Sequence, residues 1–173
     1  MSNFTIDEIQ TRLTSNQSRF FENLSKYINY PIYFYGSIYR ADYIPGKSDI
    51  DSVIFTDNES STIEVICNFL NKKRSDIKKT VMKINDKVVY GFKTQYNDAE
   101  HNIDTEISIY NEKHKDLVMQ DYKLGQQLSL HITVLLYIIK YLFYNLKIIS
   151  SKTYKRCKQF LMNPGDELKF IQL

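Results

Sequence analysis

Apolar residues recur at helical spacing through the N-terminal segment. Ile6, Ile9, Leu13, Phe20, Leu24 and Tyr27 fall on one face, with a polar interruption from Thr14 to Ser18. This predicts one helix, or a broken pair, ending near Ile28, with Thr5 and Glu8 as a capping box at its start. Asn29 to Pro31 ends the helix, and the period then changes. Ile32 to Tyr35 is a short apolar run. In Asp49 to Phe55, Ser52 and Ile54 alternate with Val53 and Phe55, so both stretches read as strands. A polar turn from Thr56 to Ser60 leads into a helix capped by Ser61. Its apolar face is Ile63, Ile66, Phe69 and Leu70, and the charges from Lys72 to Lys79 close it.

Thr80 to Ile84 and Val88 to Tyr96 alternate across Asn85-Asp86, which predicts a hairpin. Ile103 to Tyr110 is a last strand. From Lys113 the pattern is helical, over Lys113 to Lys123, Gln126 to Ile148 and Lys152 to Leu161. Pro164-Gly165 then breaks the chain before a short tail. The predicted architecture is α+β: a mixed β-sheet flanked by helices, followed by a C-terminal helical segment. A soft boundary near Asn111 to Lys113 separates a core, 1–111, from a helical subdomain, 112–173.

Composition changes this picture little. A chain of 173 residues, 43% apolar, supports one packed core with an added subdomain. A net charge of +3 does not demand a nucleic-acid partner, and Lys72-Lys73-Arg74 and Lys152 to Lys158 read as solvated faces. Cys67 and Cys157 follow no metal spacing, and His101, His114 and His131 have no helical pairing, so no zinc site is expected. Reduced thiols and the lack of a signal-peptide pattern at the N-terminus place the expected location in the cytoplasm. Leu128 to Ile149 is the most apolar stretch. Gln127, His131, Lys140, Asn145 and Lys147 interrupt or flank it, whereas a membrane span takes about 20 mostly apolar residues. A buried helix is expected, with His131 in the core, Tyr137, Tyr141 and Tyr144 as a packing stripe, and no membrane contact.

The chemistry concentrates between Tyr35 and Phe55, YGSIYRADYIPGKSDIDSVIF. On a strand, Asp49 and Asp51 project to one face. Two adjacent carboxylates repel unless a cation or water lies between them, and Mg²⁺ takes carboxylate and phosphate oxygens together. Gly36 permits a sharp turn and close approach of a ligand to the backbone. Ser37 can start a helix whose free N–H groups face an anion. Ala41 to Ser48 also spells A-x-x-x-x-G-K-S, a permissive phosphate-loop pattern. That loop needs a strand before it and a helix after it, and here a strand-like run follows, so it is rejected.

The same residues carry a resemblance. Tyr35, Gly36, Ser37, Arg40, Pro45, Gly46, Ser48, Asp49, Ile50 and Asp51 match the signature of the DNA polymerase beta-like nucleotidyltransferase superfamily in its small bacterial form. Ala41 stands where a second glycine is usual, and Lys47 is an extra residue. The resemblance implies a catalytic core over 1–111 and transfer of a nucleoside monophosphate from an NTP, with ATP the expected donor, to an acceptor hydroxyl. It implies two Mg²⁺ held by Asp49, Asp51 and a third acid, and nucleotide contacts from Gly36, Ser37, Arg40 and Ser48. The segment Ile103 to Ile109 offers Asp104 and Glu106 on one face as the third acid. The Ile-Asp pattern favours Asp104, and the acid-apolar-Ser-apolar run favours Glu106. The preference falls on Asp104, with both retained. Asp42 reads as a solvated loop residue. The acceptor stays open among a protein, an RNA end and a small hydroxyl compound. The C-terminal helices are the expected surface for a homodimer or partner. A catalytically silent nucleotide-binding or scaffolding module is the alternative.

Overall fold

A computed structural model describes residues 5–162 and 170–172. The N-terminal helical pattern is broken where the polar interruption begins. Helix α1 is Ile6–Ile9, a 3₁₀ turn covers Gln10–Arg12, and α2 is Ser15–Ile28. The capping box sits at Thr14 and Gln17, not at Thr5, because the restart of the helix has its own donors to satisfy. Strand β1, Ile32–Tyr35, ends in a four-residue 3₁₀ turn, Gly36–Tyr39, and not in an α-helix. Strand β2 is Ile50–Thr56, and α3 is Glu59–Leu70 with Asn58 as its cap.

The hairpin β3, Lys78–Ile84, and β4, Lys87–Asp98, turns at Asn85 and Asp86, both at positive φ, as a two-residue loop requires. Strand β5 is Ile103–Asn111. Helices α4, Lys115–Gln126, α5, Leu130–Tyr144, and α6, Ser151–Met162, follow, and β6 is Phe170–Gln172. The expected break at Pro164-Gly165 lies outside the described residues.

The six strands lie in the order β1-β2-β5-β4-β3-β6. Strands β2 and β5 pair in parallel, and the other pairs are antiparallel. Period-two alternation sends Ile50, Ile54, Ile107 and Ile109 to one face, against Phe21, Leu24, Ile28, Ile63 and Ile66 of α2 and α3. The opposite face carries Val53, Phe55 and Tyr110 against Val118 and Tyr122 of α4. That helix covers one end of the face, and the other end carries the acidic positions of β2 and β5.

The buried helix expected over Leu128 to Ile149 is not found. Helix α5 packs on α6 and turns only Leu136 and Lys140 fully inward. Leu130, Val134, Leu135, Tyr137, Ile138 and Tyr141 are exposed, as is His131. Hydropathy alone could not say how many neighbours an apolar helix has. No single helix among the described residues is long and apolar enough to cross a membrane.

Gly91 of β4 lies over the Tyr110 ring of β5. A methyl group there would sit 2.2 Å from Tyr110 Cε1. Gly91→Ala is expected to cost about 1–3 kcal/mol by overpacking, read as a lower urea midpoint; an unchanged midpoint would mean that the ring has room to move.

Candidate active site

Parallel pairing of β2 with β5 puts Asp51 directly opposite Glu106. Continued one position beyond the start of β2, the same register sets Asp49 beside Asp104. Four acids therefore share one face at the ends of two adjacent strands, and each feels a neighbour. Burial first, then the Asp49 charge, pushes the Asp51 carboxyl up to about 7, with Glu106 adding to the rise and Lys158 and Lys93 opposing it. Burial and Asp49 also raise the Asp104 carboxyl. The strand turns all these acids to one face, and the tertiary register sets Glu106 beside Asp51 and Asp104 beside Asp49.

Two lysines on other elements meet the acids. Lys93 Nζ of β4 is 2.7 Å from Glu106 Oε1, and Lys158 Nζ of α6 is 3.7 Å from Asp49 Oδ2. Burial works against the Lys158 ammonium, but Asp49 and then Asp51 hold it above its usual value. Tyr35 donates to Glu106 Oε1 at 3.3 Å, lies 3.2 Å from Ser108 Oγ, and stacks on Tyr122 with ring centroids 3.8 Å apart. Burial, then Asp51 and Glu106, keep its phenol protonated. Sequence reasoning gave Lys93 and Tyr35 no role and read Lys158 as part of a solvated face, whereas it meets Asp49. Tyr35 alone left a signal, as the residue before Gly36.

Gly36 is at φ +76°, and a Cβ there would fall 2.2 Å from Asp51 Oδ2. The turn is thus pressed against the carboxylate, and only glycine fits. Ser37 is buried, and its hydroxyl has no hydrogen-bond partner. Buried hydroxyls are nearly always paired, so this one sits beside the acids with unused capacity.

Arg40 and Ser48, both expected on the nucleotide, have protein partners. Arg40 forms a bidentate pair with Asp42, Nε to Oδ1 at 2.7 Å and Nη2 to Oδ2 at 3.1 Å. Ser48 Oγ accepts from the Ile44 amide at 3.1 Å and from Lys140 Nζ at 3.3 Å. The reading of Asp42 as a solvated residue is overturned: its side chain is 0% exposed. Burial alone would raise its carboxyl, but the Arg40 hydrogen bonds and the Lys140 charge hold it below the usual range. The phosphate-loop spelling over Ala41 to Ser48 runs directly into β2, in agreement with its rejection.

A cavity of about 300 Å³ opens beside the acids. Asp49, Gln95, Asp104 and Glu106 line its sheet side, and Phe143, Tyr144, Tyr154 and Lys155 its helical side. Phe143 and Tyr154 stack with centroids 4.5 Å apart. Tyr144, read from sequence as packing, faces this cavity.

Among the described residues no three His, Cys, Asp or Glu side chains converge as a ready-made metal cage. The donor set nevertheless suits Mg²⁺. Asp49 Oδ1 is buried with no hydrogen-bond partner, Asp51 is adjacent, and hard oxygen ligands are what that ion takes. Glu106 meets Lys93 and Tyr35 through the same oxygen, Oε1.

The raised Asp51 pKa has a sign that can be checked. Between its unfolded value near 4 and about 7, the folded protein holds a proton that the unfolded chain has released, so metal-free stability falls as pH rises through that window. In EDTA, Asp51→Asn is expected to melt higher than the wild type at pH 8, with the gap shrinking toward pH 5. A gap that widens toward pH 5 would contradict the buried acid.

A family model described as nucleotidyltransferase domain matches residues 15–156. A search of curated proteins finds no match. The matched span takes in the Gly36-Ser37 turn, all four acids and the helices facing them, and the chain belongs to the nucleotidyltransferase domain family, within the DNA polymerase beta-like superfamily.

Proposed function

We propose that this chain moves a nucleoside monophosphate from an NTP to an acceptor hydroxyl with release of pyrophosphate. The observation that carries the reading is the Asp49–Asp51 pair abutting the Gly36 turn, next to the unpaired Ser37 hydroxyl. In balance, the acceptor oxygen bonds the α-phosphorus, the bond from that phosphorus to the bridging oxygen breaks, and pyrophosphate leaves. The acceptor proton passes to a carboxylate, Glu106 or Asp104, or to water. Mg²⁺ bound by Asp49 and Asp51 would shield the triphosphate charge and lower the pKa of the acceptor hydroxyl.

The chain's own residues do the rest. The Gly36 backbone and the Ser37 hydroxyl meet the triphosphate, and the cavity between β5 and α6 receives the substrates. Lys158, 3.7 Å from Asp49, carries a charge that would also suit the phosphates of a bound NTP. Tyr35 fixes the Glu106 carboxylate. ATP is the proposed donor and the cytoplasm the proposed location. The acceptor class, whether a protein, an RNA end or a small hydroxyl compound, is what labelling identifies.

One observation favours a second reading, a nucleotide-binding module without turnover. Lys93 and Lys158 already neutralise two of the acids. Incubation with each labelled NTP and Mg²⁺ in lysate separates the two: transfer of label with pyrophosphate release supports the enzyme, and NTP binding without release supports the module. In the enzyme, Asp49→Asn and Gly36→Ala are each expected to lower pyrophosphate release on the order of 10²–10³-fold, with the circular-dichroism spectrum kept. Full activity in Asp49→Asn would remove that residue from the reaction.

A further inference from the structure

Lys140 is a charged residue in the middle of the most apolar helix, and it is 1% exposed. Its ammonium reaches far back along the chain, to Asp42 Oδ2 at 3.0 Å and to Ser48 Oγ, 92 residues away, at 3.3 Å. Asp42 does not need it for charge balance, because Arg40 already pairs with both carboxylate oxygens. Two cations on one buried anion are an excess of positive charge, offset in part by the Asp49 carboxylate, and burial itself works against the Lys140 ammonium. An apolar side chain of similar size is commonly the more stable choice at such a place. Stability therefore does not explain the residue, and its geometry does.

The two acceptors of Lys140 stand at the ends of one loop, 42–48, and the next residue is Asp49. The loop is closed on itself by Ser48 N–H to Ile44 O at 2.9 Å and by Ile44 N–H to Ser48 Oγ. It touches α5 a second time where Lys47 Nζ donates to Asn145 Oδ1. Among the described residues the Asp49 carboxylate has little holding of its own: Oδ1 has no hydrogen-bond partner, and Oδ2 lies 3.7 Å from Lys158 Nζ. Its place is set by the backbone that delivers it, and that backbone is clamped by Lys140.

We propose that Lys140 is a positioning residue, through which helix α5 fixes the loop 42–48 and thereby the Asp49 carboxylate for metal binding. The proposal rests on the reading of Asp49 as a metal-binding carboxylate of the transfer site. It makes the C-terminal helices part of the active site's frame and not merely a neighbouring surface.

The test compares the wild type with Lys140→Met, Lys140→Arg and Lys140→Gln in the full chain. Mn²⁺ affinity is titrated by electron paramagnetic resonance without nucleotide. Then kcat and the NTP KM are measured by pyrophosphate release, per folded molecule, at a temperature where all variants are folded. Lys140→Met is expected to weaken Mn²⁺ binding about tenfold and to lower kcat similarly. The NTP KM should stay within about twofold, because the Gly36-Ser37 side is untouched, and Lys140→Arg should recover most of both losses. Mn²⁺ affinity and kcat unchanged in Lys140→Met, or Lys140→Arg no better than Lys140→Met, would overturn the proposal. If Lys140→Met does not fold, Lys140→Gln decides, since its shorter side chain gives up the reach to Ser48 while the Ile44 N–H bond that closes the loop is left intact. Weaker Mn²⁺ binding then supports the clamp, and wild-type affinity overturns it. A wild type that releases no pyrophosphate with any acceptor would sink the functional reading alone, and the Mn²⁺ titrations would still decide the role of Lys140.

Discussion

Like charges crowded at the ends of two parallel strands are the constraint around which this molecule is built. Placing Asp51 opposite Glu106, with Asp49 and Asp104 one step beyond, sets four acids on one face. At the separations of neighbouring strands such charges repel strongly unless water, metal or protein cations answer them. Each nearby feature answers that repulsion. Lys93 takes Glu106, Lys158 takes Asp49, and Tyr35 donates to Glu106 from β1, across the intervening β2. A site held together by exchangeable cations is one a divalent ion can enter by displacing a lysine.

The turn after β1 works from the other side. Gly36 lets the backbone press against Asp51, so the turn after β1 and the acid on β2 share a single contact. This proximity links two demands of phosphoryl transfer, binding a polyanion and stabilising the charge that shifts within it. The turn is a short 3₁₀ segment, and its contribution rests on the glycine backbone and the buried Ser37 hydroxyl more than on any helix dipole.

A second charged knot lies behind the first. Arg40, Asp42 and Lys140 are nearly excluded from solvent and tie the start of the Asp49 loop to α5. Burying three charges is costly, and a buried network of this kind specifies an arrangement more than it stabilises one. The outer face of α5 stays apolar and exposed, while Lys140 ties the helix to the loop before Asp49 and Phe143 and Tyr144 line the cavity beside the acids.

The sequence by itself determined the local elements and the acids. Alternation set the strands, the Asn85-Asp86 pair set the hairpin turn, and Asp-x-Asp after Gly-Ser named the chemistry, because these signals lie within a few residues of one another. It also placed Asp104 and Glu106 on one face, since the period of a strand is local. Only the tertiary structure decided what pairing across the chain controls. The parallel register put Glu106, and not the preferred Asp104, opposite Asp51. The burial of Asp42 drew Arg40 inward. The docking of the last helices brought Lys140, Tyr144 and Lys158 to a site formed far upstream. No spacing rule connects residues so far apart in sequence; a charged side chain in an apolar helix gains its partner only when the chain has closed upon itself.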